Sequence, residues 1–266
     1  MKYSFTTLAC PDWEWKKILE TAYELGYQGI EIRGVMRKMN AAEIPQFQPD
    51  SYETTKNQLI EKNLSICCFD TSCSFHDINN RENALAEGRF TIDLAKEFNC
   101  PFIRVFGNEI KEDQDEEQML IQIADGINTL AQYAKDKGVT VLVETHGTFS
   151  SAANIIKLSK KLQSRQVGFL WDMANGMVDF NEPILTTLNQ IFPEIRHVHV
   201  KNIRNQDHWE HCLTSQGELP LQEAVQILRE KNYEGWLSFE WEKMWIPTLE
   251  EPEIALKDYI ETTRAW

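Results

Sequence analysis

The sequence predicts one (β/α)₈ barrel domain that covers residues 1–266. Short apolar runs alternate with amphipathic helical patterns from one end of the chain to the other. No stretch rich in glycine, serine or proline interrupts this alternation to mark a domain boundary. A chain of 266 residues, 42% of them hydrophobic, is long enough to bury one large core. Two small domains, or a doubly wound open sheet, are the alternatives.

Eight segments have the composition of strands that are buried on both faces. They are rich in apolar and β-branched residues and lack strict alternation, as expected for parallel strands covered by helices. The segments lie at residues 2–9, 29–34, 64–70, 102–107, 140–145, 167–172, 195–200 and 236–241.

An amphipathic helical pattern follows each strand, as in a barrel of about 250 residues. Before the first helix stands a cap-like Asp12, and Trp15 and Ile18 share one face of that helix. A weak internal repeat supports the alternation: residues 25–32 and 231–240 both run helix end, tyrosine, glycine, apolar strand, glutamate. The predicted helices lie at residues 13–25, 51–62, 81–98, 115–137, 152–163, 182–191, 220–230 and 249–264.

The charge balance excludes two classes of partner. Acidic residues outnumber basic ones by 41 to 27, which gives a formal net charge of -14. Nucleic acids and anionic membranes both require a positive protein surface, so we expect neither as a partner. No apolar run reaches the roughly 18 residues of a spanning helix, and the first residues lack a secretory signal. We therefore predict a cytoplasmic protein that acts on a small molecule, and a homo-oligomer is compatible with the sequence.

Four consecutive predicted strands each present a residue of a metal-binding type near their carboxyl ends. In a (β/α)₈ barrel these ends converge on one mouth, which is where the chemistry of this architecture occurs. Three buried carboxylates close together would be costly and would repel one another unless a divalent cation compensated them. The four predicted metal ligands are Glu144, Asp172, His199 and Glu240.

Three carboxylates and one imidazole form a hard, oxygen-rich ligand set. Such a set suits a divalent cation, with Mn²⁺ preferred, Mg²⁺ and Co²⁺ as alternatives and Zn²⁺ less favoured. The histidine is chosen by period, since His197 and His199 share one strand face and His199 lies nearer the mouth. We predict that His197 is a structural residue or one that supports the metal ligands from behind.

Further polar residues near the strand ends are candidate ligands of a substrate. A permanent cation or an imidazole there could hold a carboxylate, a phosphate or a hydroxyl. The alternative for the cations is an ion pair with one of the metal-binding carboxylates. The candidates are Arg104, His146, Lys201 and Arg204. Ordinary loop residues are expected at Asp70, His76 and Glu109.

Four motifs, "VLVETHG", "GFLWDMANG", "IRHVHVKN" and "GWLSFEWE", resemble those of the xylose isomerase-like barrel superfamily of sugar and sugar-phosphate isomerases and epimerases. The resemblance extends along nearly the whole chain and implies the same four metal ligands. It also implies that Glu144 and Glu240 act as acid and base. Proton abstraction next to a carbonyl gives an enediolate, which a metal bridging the two oxygens stabilises.

One position departs from the pattern of that family. Many of its sugar epimerases carry a histidine three residues after the aspartate of strand six, whereas this chain reads "DMAN". Asn175 occupies the position and is counted among the predicted substrate ligands.

Three other functions are compatible with a barrel of this kind. A metal-dependent dehydratase resembling 3-dehydroshikimate dehydratase would stabilise the same enolate and expel a hydroxyl, although it too has a histidine at the position of Asn175. A repair nuclease resembling endonuclease IV would need three metals, a basic groove and more histidines than the six present. The third is a barrel that binds a sugar without turnover.

Overall fold

The predicted strands close into a parallel barrel. The computed structural model describes residues 1–205 and 207–266. The strands in this part of the chain are β1 Lys2–Thr6, β2 Gly29–Ile32, β3 Ser65–Ser74, β4 Phe102–Phe106, β5 Thr140–Glu144, β6 Val167–Asp172, β7 Ile195–Val200, β8 Asn202–Asn205, β9 Trp209–Cys212 and β10 Trp236–Phe239. All except β8 and β9 form the closed barrel, in the order β1-β10-β7-β6-β5-β4-β3-β2. The (β/α)₈ prediction is confirmed against the open sheet, and the assignment of the whole chain to one domain stays a prediction.

Helices alternate with the barrel strands, as the amphipathic patterns predict. They are α1 Trp15–Leu25, α2 Tyr52–Glu61, α3 Arg81–Glu97, α4 Glu116–Ala134, α5 Ala152–Ser159, α6 Asn175–Phe180, α7 Ile184–Ile191, α8 Leu221–Glu230 and α9 Pro252–Arg264. The predicted cap at Asp12 is wrong, because Glu14 holds the N-cap position and the Asp12 carboxylate instead accepts two hydrogen bonds from Arg37. Across residues 1–205 and 207–266, no helix has both the length and the apolarity to cross a membrane.

Residues 1–67 and 198–266 form one compact unit. In this unit β1 pairs in parallel with β2 and with β10. Phe239 of β10 stacks on Tyr259 of α9, with the ring centroids 4.7 Å apart. Because side chains alternate along an extended chain, this outward packing turns Glu240, the next residue, to the opposite face.

Residues 68–197 form the other compact unit. Here β4 pairs in parallel with β3 and β5, and β5 pairs with β6. Helices α3 and α4 approach closely at Gly88, where a Cβ atom would lie 2.6 Å from Leu130 Cδ1. Helix α4 starts after the N-cap Asp115, whose carboxylate accepts a hydrogen bond from the backbone of Gln118 at 2.9 Å. Acidic residues therefore open this helix, where negative charge suits the helix dipole.

The hairpin of β8 and β9 and the short helix α6 have no counterpart among the predicted elements. In the hairpin, Ile203 lies opposite His211 and Arg204 lies opposite Glu210. The two strands read "NIRN" and "WEHC". Sequences this polar and this short carry no apolar period that would mark them as strands.

Candidate metal centre and active site

A buried histidine lies between two buried glutamates near the carboxyl ends of β2, β7 and β10. His199 Nε2 is 3.0 Å from Glu31 Oε1, and His199 Nδ1 is 3.3 Å from Glu240 Oε1. His199 and Glu31 have no solvent exposure, and Glu240 is 5% exposed. Each ring nitrogen of His199 therefore has its own carboxylate partner.

Lys201 bridges two glutamates beside this histidine. Its Nζ donates to Glu240 Oε2 at 2.9 Å and to Glu242 Oε1 at 2.8 Å. His211 of the hairpin places its Nε2 3.8 Å from Glu242 Oε2. Glu240 is thus held on one oxygen by His199 and on the other by Lys201.

These contacts determine the charge states of the cluster. Burial raises the pKa of Glu240, but the nearby charges of Lys201 and His199 outweigh it and hold the pKa well below its usual value. Burial lowers the pKa of His199, but the charges of Glu240 and Glu31 raise it well above its usual value. For His211, burial and then the Lys201 charge lower the pKa. Near neutral pH the metal-free chain consequently has a charged His199 beside an ionised Glu240.

Arg104 of β4 is a buried cation in the other unit. Its Nε lies 3.1 Å from Glu144 Oε2 and 3.5 Å from Asp70 Oδ1. Its Nη1 donates to the Thr71 carbonyl at 3.0 Å, and its guanidinium lies 4.0 Å from the centre of the Phe106 ring. One planar cation thus contacts two carboxylates and an aromatic face.

The positions of these residues bear on two expectations. Arg104 adopts the ion-pair arrangement that is the alternative to a substrate contact, and its role toward substrate stays a prediction. The expectation that Asp70 is a loop residue is wrong, because β3 runs from Ser65 to Ser74 and Asp70 is only 6% exposed. The predicted strand ended at residue 70, because the polar residues that follow do not read as a buried strand.

Asp172 at the end of β6 is fixed by backbone groups. Its Oδ1 accepts hydrogen bonds from the backbone N–H groups of Ala174 and Asn175, each at 2.8 Å. Its own backbone N–H donates to Thr145 Oγ1 at 2.8 Å. The side-chain amide of Asn175 donates to the Thr145 carbonyl at 3.0 Å. The carboxylate of Asp172 therefore has a defined orientation, and Asn175 is tied to the end of β5.

The four predicted metal ligands offer atoms at the spacing of a metal site. One ligand atom each from Glu144, Asp172, His199 and Glu240 lies within 4.8 Å of the other three, and all four residues are buried. Around a divalent cation with bonds of roughly 2.0–2.2 Å, ligand atoms are separated by about 3–4.4 Å. The donor set, oxygen-rich with one nitrogen, therefore fits a divalent cation.

The remaining candidates occupy varied environments. His146 is exposed and its ring centre lies 5.0 Å from that of Phe106. Arg204 lies on β8 and is partly buried, and Lys201 makes the ion pairs described above. His197 is fully buried, with its ring 6.0 Å from that of Phe102, in keeping with a structural role. Their contacts with substrate stay predictions.

Glu31 was missed because it reads as a single glutamate in a short strand. The internal repeat is only a loose signal for it, because Glu31 stands two residues after the glycine of its stretch and Glu240 stands five residues after the glycine of the other. Glu242 and His211 carried no comparable signal, because His211 lies on the hairpin that the apolar pattern does not mark.

Comparison with known proteins relates this chain to both epimerases and dehydratases. A family model described as the xylose isomerase-like TIM barrel matches residues 19–265. Fructoselysine 3-epimerase of Shigella flexneri is 22% identical over 254 residues, covering 92% of this chain and 90% of the epimerase. Inosose dehydratase of Bacillus thuringiensis (strain Al Hakam) is 30% identical over 155 residues, 51% of this chain and 51% of the dehydratase.

Solved structures show the same fold. The probable 3-DHS dehydratase AsbF of Bacillus anthracis superimposes with a TM-score of 0.82 at 19% identity, covering 99% of each chain. A xylose isomerase-like TIM barrel protein from Mycobacterium smegmatis, solved in complex with magnesium, has a TM-score of 0.74 at 17% identity, covering 99% of this chain and 97% of the other.

Replacing Arg104 with methionine is expected to destabilise the metal-free protein by about 3–5 kcal/mol. The change removes the cation that both Asp70 and Glu144 contact. Urea unfolding in the presence of EDTA measures the effect. The matched control is Arg104→Lys, which keeps the charge and is expected to lose less stability. Equal stability of Arg104→Met and the unchanged protein would contradict the compensating role of Arg104.

Binding of Mn²⁺ near pH 7 is expected to release about one proton per chain. The raised pKa keeps His199 charged in the metal-free protein, and an imidazole must be neutral to bind a metal ion. The apparent affinity should therefore rise by about tenfold per pH unit until the pH reaches the pKa of His199. Calorimetric titrations in buffers of different protonation enthalpy measure the released protons, and a signal independent of the buffer would refute the assignment.

Proposed function

The chain belongs to the xylose isomerase-like TIM barrel family, and from that premise we propose that it is a divalent-metal-dependent isomerase or epimerase of a sugar or sugar phosphate. The observation that carries the proposal is the group of Glu144, Asp172, His199 and Glu240, whose ligand atoms lie within 4.8 Å of one another. The epimerase likeness over 92% of the chain supports it.

Each residue has a role that follows from its chemistry. Glu144, Asp172, His199 and Glu240 would hold the cation, with Mn²⁺ as the preferred ion. When bound, the cation would polarise a ketone oxygen and the neighbouring hydroxyl. This would make the C–H hydrogen on the carbon that carries the hydroxyl more acidic. Glu144 and Glu240 would remove that proton and return it at another carbon or on the opposite face.

Two neighbouring cations would hold Glu144 and Glu240 in place for proton transfer. Arg104 holds Glu144 by one oxygen, and Lys201 holds Glu240, so neither side chain is free to rotate. A fixed base close to the substrate carbon lowers the entropic cost of proton transfer. The predicted substrate ligands His146, Asn175 and Arg204 would contact the hydroxyls or an anionic group of the substrate.

The expected partner is a polyhydroxylated small molecule, in keeping with the acidic net charge of -14. The cytoplasmic location and a homo-oligomeric state stay predictions from the sequence.

A dehydratase is the second candidate, and the inosose dehydratase likeness favours it. The same residues would remove a proton next to a carbonyl, after which a hydroxyl on the adjacent carbon would take up a proton and leave as water. That likeness covers 51% of this chain, whereas the epimerase likeness covers 92%. The epimerase proposal therefore comes first.

Turnover in D₂O distinguishes the candidate functions. The Mn²⁺-loaded protein is incubated with ketoses, ketose phosphates and the cyclic ketone inosose, and the products are followed by NMR and ultraviolet absorbance. An isomerase or epimerase is expected to introduce deuterium at carbon without a conjugated product. A dehydratase is expected to generate a conjugated, absorbing product. Substrate binding without either change would identify a barrel that does not turn over, and would refute the proposal.

Substitution of Glu144 or Glu240 by glutamine is expected to lower turnover by about 10²–10⁴-fold, because each change removes a proton acceptor. Circular dichroism and thermal unfolding check that the fold is kept, and a Mn²⁺ titration reports on metal binding. Glu223→Gln on the exposed face of α8 is the matched control and should retain full activity. A variant at 144 or 240 with normal turnover would remove that residue from the proton-transfer role.

A further inference from the structure

Glu31 contacts His199, and nothing in the sequence around Glu31 predicts this contact. It lies on β2, next to Thr6 of β1 in the sheet register, and has no exposure to solvent. Its Oε1 lies 3.0 Å from His199 Nε2. Its carboxylate is therefore closed off from bulk solvent on this face of the imidazole.

The two nitrogens of His199 have different surroundings. Nδ1 faces Glu240, which belongs to the proposed metal-binding group, at 3.3 Å. Nε2 faces Glu31, which lies outside that group. A neutral imidazole carries one proton and one lone pair, so a nitrogen that binds a metal leaves the proton on the other nitrogen. Nδ1 is accordingly the nitrogen suited to the cation, and Nε2 is the one suited to donate.

We propose that Glu31 is a positioning residue for the metal centre: it accepts the Nε2–H of His199 and thereby directs Nδ1 toward the cation. The proposal rests on the proposed metal site. A carboxylate behind a metal-binding histidine fixes the tautomer and the ring orientation and makes the other nitrogen a better ligand. Glu31 and Glu240 would thus lie on opposite sides of one histidine and perform different tasks.

A competing arrangement uses the same histidine. Ligand atoms of Glu31, Asp70 and His199 also lie within 4.8 Å of one another, so this group could hold a cation of its own. That cation would need the lone pair of Nε2, whereas the four-residue group needs the lone pair of Nδ1. A neutral imidazole offers one lone pair, and the two arrangements are therefore exclusive. The metal stoichiometry distinguishes them.

The experiment measures Mn²⁺ binding by calorimetry for the unchanged protein, Glu31→Ala and Glu31→Gln. One ion per chain is expected in all three. The alanine variant should bind about 10–100-fold more weakly. The glutamine variant should lose less Mn²⁺ affinity, because its amide oxygen still accepts the Nε2–H. It also replaces the alanine variant in the comparison if that variant folds poorly. Glu242→Gln is the matched control, since it removes a nearby negative charge that contacts Lys201, and it should weaken binding less than Glu31→Ala.

A second measurement separates positioning from a general effect on stability. In the Mg²⁺-loaded protein with ¹⁵N-labelled histidine, the His199 Nε2–H proton should resonate far downfield and be protected from exchange. His199→Asn identifies this signal by its loss. In Glu31→Ala the signal should move upfield or exchange with water, and in Glu31→Gln it should persist with a smaller shift.

Several results would overturn the proposal. One is a stoichiometry of two Mn²⁺ ions that falls to one in Glu31→Ala, which would make Glu31 a ligand. Another is an equal loss of affinity in Glu31→Ala and Glu242→Gln with the Nε2–H signal unmoved. Unchanged affinity in Glu31→Ala would also overturn it. If His199→Asn binds Mn²⁺ as tightly as the unchanged protein, the proposed metal site itself fails, so the two failures are distinguishable.

Discussion

The organisation of this site depends on the cost of burying several carboxylates close together. Charges in a protein interior are tolerated only with partners of opposite charge, and here the chain supplies them from its own strands. In one unit the planar guanidinium of Arg104 contacts Asp70 and Glu144. In the other, the compact ammonium of Lys201 bridges Glu240 and Glu242. Glu144 and Glu240 are thus each oriented by a cation that the chain itself supplies.

This compensation also limits how the cluster can change its charge. With the pKa of Glu240 held well below its usual value, the carboxylate stays ionised throughout the neutral range. In the proposed metal site, a proton released on metal binding would therefore come from His199, whose pKa is raised. Replacement of that proton by a divalent cation would increase the positive charge beside Glu240. The positive charges of Lys201 and His199 keep Glu240 ionised without a cation, and an ionised carboxylate is the form that binds a metal ion.

Most of the barrel followed from the sequence, because it depends on local pattern, and the four candidate metal ligands stay a prediction made from polar residues near strand ends. The strand limits of β6 and β7 were predicted to the residue, since apolar runs with a polar residue at the carboxyl end define them. What the sequence could not supply is the contact between distant strands. Glu31 and His199 are 168 positions apart, and nothing local to "GIEI" indicates an imidazole partner. The hairpin was missed for another reason, since its two strands are only four residues long each and too polar to show an apolar period.

The choice between epimerisation and dehydration turns on where a second proton comes from. The side-chain amide of Asn175 donates to the Thr145 carbonyl. An amide does not titrate in this range, so in the proposed reaction proton transfer would fall to Glu144 and Glu240. Inversion at one carbon would need one carboxylate to take a proton and a protonated group on the opposite face to return one, whereas transfer between neighbouring carbons can use a single carboxylate for both steps. Dehydration would likewise need an acid at the departing hydroxyl. A carboxyl with the lowered pKa of Glu240 is a poor proton donor near neutral pH. The electrostatics of the cluster therefore suit Glu240 to take the first proton, in any of these reactions.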